Sequence, residues 1–172
     1  KLNYKEYDKM NREELLKKID EQLVFELQSG YEYKQMASEF NDMDWDGFEH
    51  FMEMQAHEEY EHAEYFRKWL QQVGHKIEYK TIEAPKADYD KNVLSIFKAA
   101  LEHEKEVTRR IRELFDAAHE IKFYEVYTLL QKFIDEQIEE EATFDNIIAK
   151  LERTENSNAG LAILDKELGQ RQ

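Results

Sequence analysis

The chain has 172 residues, and 39 acidic side chains against 24 basic ones give it a formal net charge of −15. This charge argues against nucleic acid and anionic membranes as partners, because both require a basic surface. The chain has no cysteine, which excludes disulfides, thiolate metal sites and cysteine nucleophiles. Its longest apolar run covers only residues 161–164, too short to span a membrane. We therefore expect a single domain that is soluble and cytoplasmic.

Helical periodicity runs through almost the whole chain. Apolar residues recur at steps of three and four, and only one proline and five glycines interrupt the pattern. The sequence predicts long helices at about 11–41, 46–74, 90–120 and 123–153 and a short fifth helix at about 159–168. Asn11, Asp46 and Asp90 are the predicted N-caps, and Gly74 is the predicted end of the second helix.

The lengths of the connections predict the topology. Short links at 43–45 and near Lys122 make two antiparallel hairpins, whereas residues 75–89, with Pro85, are long enough to run along the bundle. The predicted fold class is all-α: a four-helix bundle with a long crossover between helices two and three and a short fifth C-terminal helix. Residues 1–10 and 169–172 are expected to be solvated ends.

Each long helix turns an acid toward the predicted core near its midpoint. These acids are Glu26, Glu59, Glu104 and Glu140, and all four fall at one height in the bundle. A single such residue could reach solvent at the edge of its apolar stripe. Four at matched height predict a bound cation instead, because buried carboxylates that converge without one repel each other or become protonated.

The spacing of the donors indicates which metal they would bind. Glu59 and His62 lie one turn apart on one helical face. Oxygen-rich ligation with a single nitrogen suits Fe(II) or Mn(II) better than a structural zinc. The two hairpins also form a degenerate repeat, since a shift of 78 residues places Glu26 on Glu104 and Glu59 on Gln137. A pseudo-symmetric site of this kind suits a pair of metal ions.

Several motifs together resemble those of the bacterial non-haem ferritins, within the ferritin-like di-iron carboxylate family. The matching segments are Glu21-Gln22-Leu23 through Glu26-Leu27, His57-Glu58-Glu59-Tyr60-Glu61-His62-Ala63, His103-Glu104, Glu136-Gln137-Ile138-Glu139-Glu140-Glu141 and Leu164-Asp165-Lys166-Glu167-Leu168. The resemblance covers nearly everything from residue 12 to 168. It implies a homo-oligomeric cage of roughly 24 subunits that oxidises Fe(II) and stores Fe(III) mineral inside.

The resemblance also implies where two irons would bind. One iron site would consist of Glu26, Glu59 and His62. The other would have Glu59 as a bridge, with Glu104 and Glu140 as ligands and Gln137 beside them. No haem is expected, because Tyr60 stands where a haem-binding relative would offer a methionine.

Further residues carry two interpretations each. A third iron site, implied by the resemblance, would be formed by Glu58, Glu136, Glu139 and Glu140, although these acids could equally form an acidic inner face. Tyr33 matches a tyrosine near the family's metal centre and could take part in electron transfer, or could be a core tyrosine bonded to a nearby glutamate.

The remaining histidines are predicted to have no part in the metal site. We expect His50, His75 and His119 to be solvated, and His57 and His103 to face away from the ligands by helical phase.

Three functions are compatible with these residues. The first is a ferroxidase that uses O2 or H2O2 and stores the product in a cage. The alternative is a stand-alone di-iron oxidase or peroxidase on the same bundle that stores no mineral. A storage or scaffold cage without catalysis is the third, and the complete ligand set argues against it.

Overall fold

The computed structural model describes residues 11–171, and within this range the chain is helical and has no strand. The predicted fold class is confirmed: four long helices form a bundle, and a short fifth helix follows. The elements are α1 Arg12–Asn41, α2 Asp46–Gln72, α3 Val93–Glu120, a single 3-10 turn at Tyr124–Val126, α4 Tyr127–Thr154 and α5 Asn158–Leu168. No helix among the described residues is long and apolar enough to cross a membrane.

Only one of the three predicted N-caps is confirmed. The Asn11 side chain accepts from the backbone N–H of Glu14 in a capping box. Asp46 is instead the first residue of α2, which lacks a side-chain cap. The predicted cap at Asp90 is wrong, because this residue lies in a left-handed turn at φ 56°. The cap of α3 is instead Asn92, two residues later.

The second helix ends close to the predicted glycine. Its last residue is Gln72, and Gly74 follows in the left-handed conformation at φ 77°. The N–H of Gly74 donates to the carbonyl of Gln71, and the N–H of His75 donates to that of Leu70. These two bonds form a Schellman motif, which satisfies carbonyls at the helix end and favours glycine.

The crossover at 75–89 lies along α1. The Asp20 carboxylate accepts from the backbone N–H of Glu78 at 2.9 Å and lies 3.3 Å from Nε2 of His75. Farther along, the Gln28 side chain makes two hydrogen bonds with the backbone of Glu83. His75 is therefore half-buried against α1, and the prediction that it is solvated is wrong, because its ring pairs with a buried acid.

Two apolar clusters fill the bundle, one toward each end. The first contains Phe40, Phe48 and Phe97 near the turn between α1 and α2. The second contains Phe66 and Phe133 toward the opposite end. Polar residues are buried between and beside these clusters, and they are Asp20, Gln22, Glu26, Ser29, Gln55, Glu59, His62, Glu104, Thr108 and Gln137. Aromatic packing at both ends thus leaves a polar band around the middle of the bundle.

The fifth helix packs against α2 and α4. Its Asp165 carboxylate accepts from the N–H of Phe48 at 2.8 Å, and Leu161 and Leu164 are buried. Residues 1–10 and 172, predicted as solvated ends, lie outside the described residues. Residues 169–171 are described, and Arg171 does not fit that prediction, because its side chain bonds to α2.

Candidate metal centre

Glu26, Glu59 and His62 come together in the middle of the bundle. Their potential ligand atoms all lie within 4.8 Å of one another. Glu26 comes from α1, and the other two side chains come from consecutive turns of α2. All three residues are buried, with exposed fractions of 0%, 1% and 8% respectively. Within residues 11–171 this is the one such group of three or more potential ligands.

The two carboxylates of this group each have an oxygen that lacks a partner. Gln22 Nε2 donates to Oε1 of Glu26 at 2.8 Å, one helical turn away. Oε2 of Glu26 and Oε2 of Glu59 are buried and have no hydrogen-bond partner. Buried acceptors without a donor cost free energy, and a divalent cation would satisfy both oxygens. The donor set therefore fits a metal ion.

Burial and mutual repulsion both act on these carboxylates. Burial raises the pKa of Glu26 well above its ordinary value, and the charge of Glu59 raises it further. Burial also raises the pKa of Glu59, together with the charges of Glu104 and Glu140. Several acids at one level in a dry core hold protons unless positive charge is supplied. A divalent cation supplies that charge.

His62 faces carboxylates with both ring nitrogens. Its Nδ1 lies 3.4 Å from Oε2 of Glu59, and its Nε2 lies 3.7 Å from Oε2 of Glu136. The ring meets Phe133 edge to face, with 5.2 Å between centroids. Packing against Phe133 restricts the ring, so that one nitrogen stays directed at the Glu59 carboxylate.

The Glu104 side chain extends from α3 at the same height in the bundle, and both of its carboxylate oxygens accept hydrogen bonds. The hydroxyl of Tyr33 donates to its Oε1. Gln137 Nε2 donates to its Oε2 at 3.0 Å and to its backbone carbonyl at 3.1 Å. Burial and the charge of Glu104 raise the pKa of Tyr33, so the phenol remains a donor. Tyr33 is thus a core tyrosine bonded to a glutamate, and its part in electron transfer stays a prediction.

Glu140 completes the ring of acids from α4. Gln55, which is fully buried on α2, donates through Nε2 to Oε2 of Glu140 at 3.0 Å. Burial and the charge of Glu104 raise the pKa of Glu140 to about 7. This carboxyl group therefore titrates near neutral pH, where a cation could readily displace its proton.

The acids expected at a third site have different surroundings. Glu58 pairs with Arg171, and Glu136 pairs with Lys132 on its own helix. Glu139 is exposed. The structure therefore places these side chains beside Glu140 without gathering all of them into one group of close ligand atoms.

Sequence reasoning missed the surroundings of His103. This residue is half-buried, and its Nδ1 lies 3.1 Å from Oε2 of Glu32. Its Nε2 lies 2.7 Å from Oγ of Ser29, whose own proton goes to the carbonyl of Phe25. Burial alone would lower the pKa of His103, but its bond to Glu32 outweighs burial and raises it. In the sequence, only its position next to Glu104 indicated that His103 could lie close to the metal centre.

Two other histidines differ in their surroundings. His50 is half-buried, and its Nε2 donates to the backbone carbonyl of Arg171 at 2.7 Å. The expectation that His50 is solvated is therefore wrong, because the chain after α5 covers its ring. His119 is exposed, as expected.

Comparison with known proteins identifies the family. The Ferritin-like domain profile matches residues 16–154, most of the chain. The chain belongs to the ferritin family. The bacterial non-heme ferritin of Staphylococcus haemolyticus (strain JCSC1435) is 35% identical over 162 residues, which are 94% of this chain and 97% of that protein. That of Staphylococcus aureus (strain MRSA252) is 34% identical over 157 residues, covering 91% and 94%.

Solved ferritin structures agree with this assignment. The open pore ferritin from the archaeon Archaeoglobus fulgidus superimposes with a TM-score of 0.92 at 34% identity, covering 95% of this chain and 99% of that one. An engineered closed form of the same archaeal ferritin gives a TM-score of 0.91 with the same identity and coverage. The resemblance inferred from the sequence motifs is thereby confirmed.

Proposed function

We propose that this ferritin stores iron and that each subunit oxidises Fe(II) at a di-iron ferroxidase centre in the middle of its bundle. The observation that carries the proposal is the buried group of Glu26, Glu59 and His62, in which two carboxylate oxygens have no partner. A protein that bound no cation would gain nothing from keeping these groups in its core.

Iron is the substrate, and the chain supplies two adjacent positions for it. Glu26, Glu59 and His62 would hold one Fe(II). Glu59 would bridge to a second Fe(II) that Glu104 and Glu140 hold, with Gln137 beside it. The hydrogen bonds to Glu104 from Tyr33 and Gln137 support this assignment, since they orient the carboxylate before any metal arrives.

Two iron ions at adjacent positions match the electron count of the reaction. Each Fe(II) loses one electron in becoming Fe(III). Together they supply the two electrons that, with two protons, convert O2 to H2O2 or convert H2O2 to two waters. The chain's contribution is to hold both ions close together and to leave room for the oxidant.

Storage requires an assembly, and we propose a homo-oligomeric cage of roughly 24 subunits in the cytoplasm. The match of nearly the whole chain to two staphylococcal bacterial non-heme ferritins supports this proposal. The net charge of −15 per chain would attract Fe(II) toward pores and the cavity.

The test is aerobic loading with a large excess of Fe(II), followed by gel filtration and an iron assay of each fraction. Hundreds of irons eluting with a very large assembly are the expected result. About two irons per chain on a monomer or dimer would favour the stand-alone di-iron oxidase or peroxidase instead. E59A should abolish rapid oxidation without changing the assembly. E61A is the matched control, because Glu61 is exposed on the same helix.

A further inference from the structure

The segment after α5 folds back onto α2 and brings a guanidinium to the metal centre. Arg171 donates through Nη1 to Oε1 of Gln55 and through Nη2 to Oε2 of Glu58. Its guanidinium carbon lies 4.7 Å from the centroid of the Phe51 ring. The Arg171 backbone is held as well, since its carbonyl accepts from His50. Four contacts to one helix therefore hold this single residue.

Gln55 connects the guanidinium to a proposed iron ligand. Its Oε1 accepts from Arg171, and its Nε2 donates to Oε2 of Glu140 at 3.0 Å. Because Gln55 is fully buried, its amide has little freedom to make other bonds. The guanidinium thus contacts Glu58 directly and Glu140 through one amide.

Glu58 and Glu140 are two of the acids expected at the third iron site. A guanidinium and a divalent cation compete for the same carboxylate oxygens, and their like charges repel at close range. The side chain of Arg171 is only 24% exposed, so that its charge is weakly screened by solvent. A cation on Glu58 and Glu140 would therefore have to displace Arg171.

We propose that the Arg171 guanidinium competes with divalent cations for Glu58 and Glu140 and keeps metal from binding to these two acids until the segment after α5 releases. This inference rests on the proposed di-iron function and deepens it. Since coupling between two ligands of one site is reciprocal, metal bound to Glu58 and Glu140 should loosen residues 169–171, and loss of the guanidinium should tighten metal binding.

The first test counts metal sites in the assembled, iron-free protein. Zn(II) serves as a redox-inert probe in titration calorimetry of the wild type, R171Q and R153Q. Arg153 is exposed near the end of α4, so R153Q controls for the change in net charge. We expect R171Q to bind Zn(II) at Glu58 and Glu140 about ten-fold more tightly, the factor that losing one charge-assisted hydrogen bond represents. R153Q should match the wild type.

Equal Zn(II) binding in R171Q and the wild type would overturn the proposal while leaving the di-iron centre intact. Failure of the proposed function has a different signature, in which E59A binds as much Zn(II) as the wild type does.

A second measurement needs no variant. Hydrogen exchange at the amides of residues 169–171 should accelerate when the wild type is saturated with Zn(II), and unchanged exchange would contradict the displacement.

Discussion

The hydroxyl of Tyr33 on α1 donates to the Glu104 carboxylate on α3, on the side opposite to the Gln137 amide from α4. Both oxygens of Glu104 therefore have a donor, whereas Glu26 and Glu59 each keep one oxygen without any. The centre thus combines carboxylates of two kinds. The Glu104 carboxylate is oriented in advance by hydrogen bonds from the protein, whereas Glu26 and Glu59 each have an oxygen free to bind a cation.

Removing the Tyr33 hydroxyl should weaken this arrangement without disturbing the packing. Y33F keeps the ring, which stacks on Phe144 with centroids 6.2 Å apart. It leaves a buried acceptor on Glu104 unsatisfied, so we expect the free energy of unfolding to fall by about 1–3 kcal/mol. Chemical denaturation measures this loss, and stopped-flow absorbance should show slower Fe(II) oxidation. Y31F, at an exposed tyrosine of the same helix, should change neither quantity.

Neutralising Glu59 should change metal-free stability and metal binding in opposite directions. At pH 8, E59Q relieves a buried carboxyl group whose pKa burial has raised, so the metal-free protein should become more stable. The same variant should lose most of the stabilisation that Zn(II) gives the wild type, about 2.7 kcal/mol at a concentration of 100 Kd. Thermal unfolding with and without Zn(II) measures both effects. If E59Q proved less stable without metal and equally stabilised by it, Glu59 would be no ligand.

The stability of the metal-free protein should fall as the pH rises through the range from about 4.5 to about 7. Glu140 has its pKa raised to about 7 in the folded protein, so the unfolded chain releases this proton first. The folded state then binds more protons, and its stability declines with pH until Glu140 has ionised. E140Q removes this contribution, so its advantage over the wild type should grow to about 1–3 kcal/mol at pH 8. Thermal unfolding across pH 5–8 tests this, and Zn(II) should flatten the wild-type curve.

A methyl group at Gly47 should detach α5 from the bundle. The Cβ of an alanine there would lie 1.8 Å from the backbone carbonyl oxygen of Asp165, a clash that only movement of the helix can relieve. G47A should therefore expose Leu161 and Leu164 at a cost of about 3 kcal/mol. Hydrogen exchange at residues 158–168 should accelerate accordingly.

The control for this substitution is G74A. Gly74 has nothing within 4 Å of an added Cβ but adopts φ 77°, so alanine there should cost about 1 kcal/mol of backbone strain. G74A should leave hydrogen exchange in α5 unchanged. Slow exchange in the α5 of G47A would mean that the helix accommodates the methyl group while docked.

The helices and the level of the acids were predictable because both depend on local periodicity. Glu26, Glu59 and Glu104 interrupt apolar stripes at helical spacing, and the structure buries all three at the middle of the bundle. Helix starts were less predictable. Asp90 and Asn92 are both residue types that cap helices, and Asn92 is the cap because Asp90 lies in a left-handed turn. The ligand assignment itself stays a proposal.

The sequence by itself determined the all-α bundle, its crossover, its family and the acids that face the core. These properties depend on residue spacing along single helices, on the lengths of the connections and on short sequence motifs. Only the tertiary structure decided which groups pair across helices. Tyr33 with Glu104, Gln55 with Glu140, and Arg171 with Glu58 join residues that are 71, 85 and 113 positions apart. Such contacts depend on the relative height and rotation of packed helices, which no local pattern encodes.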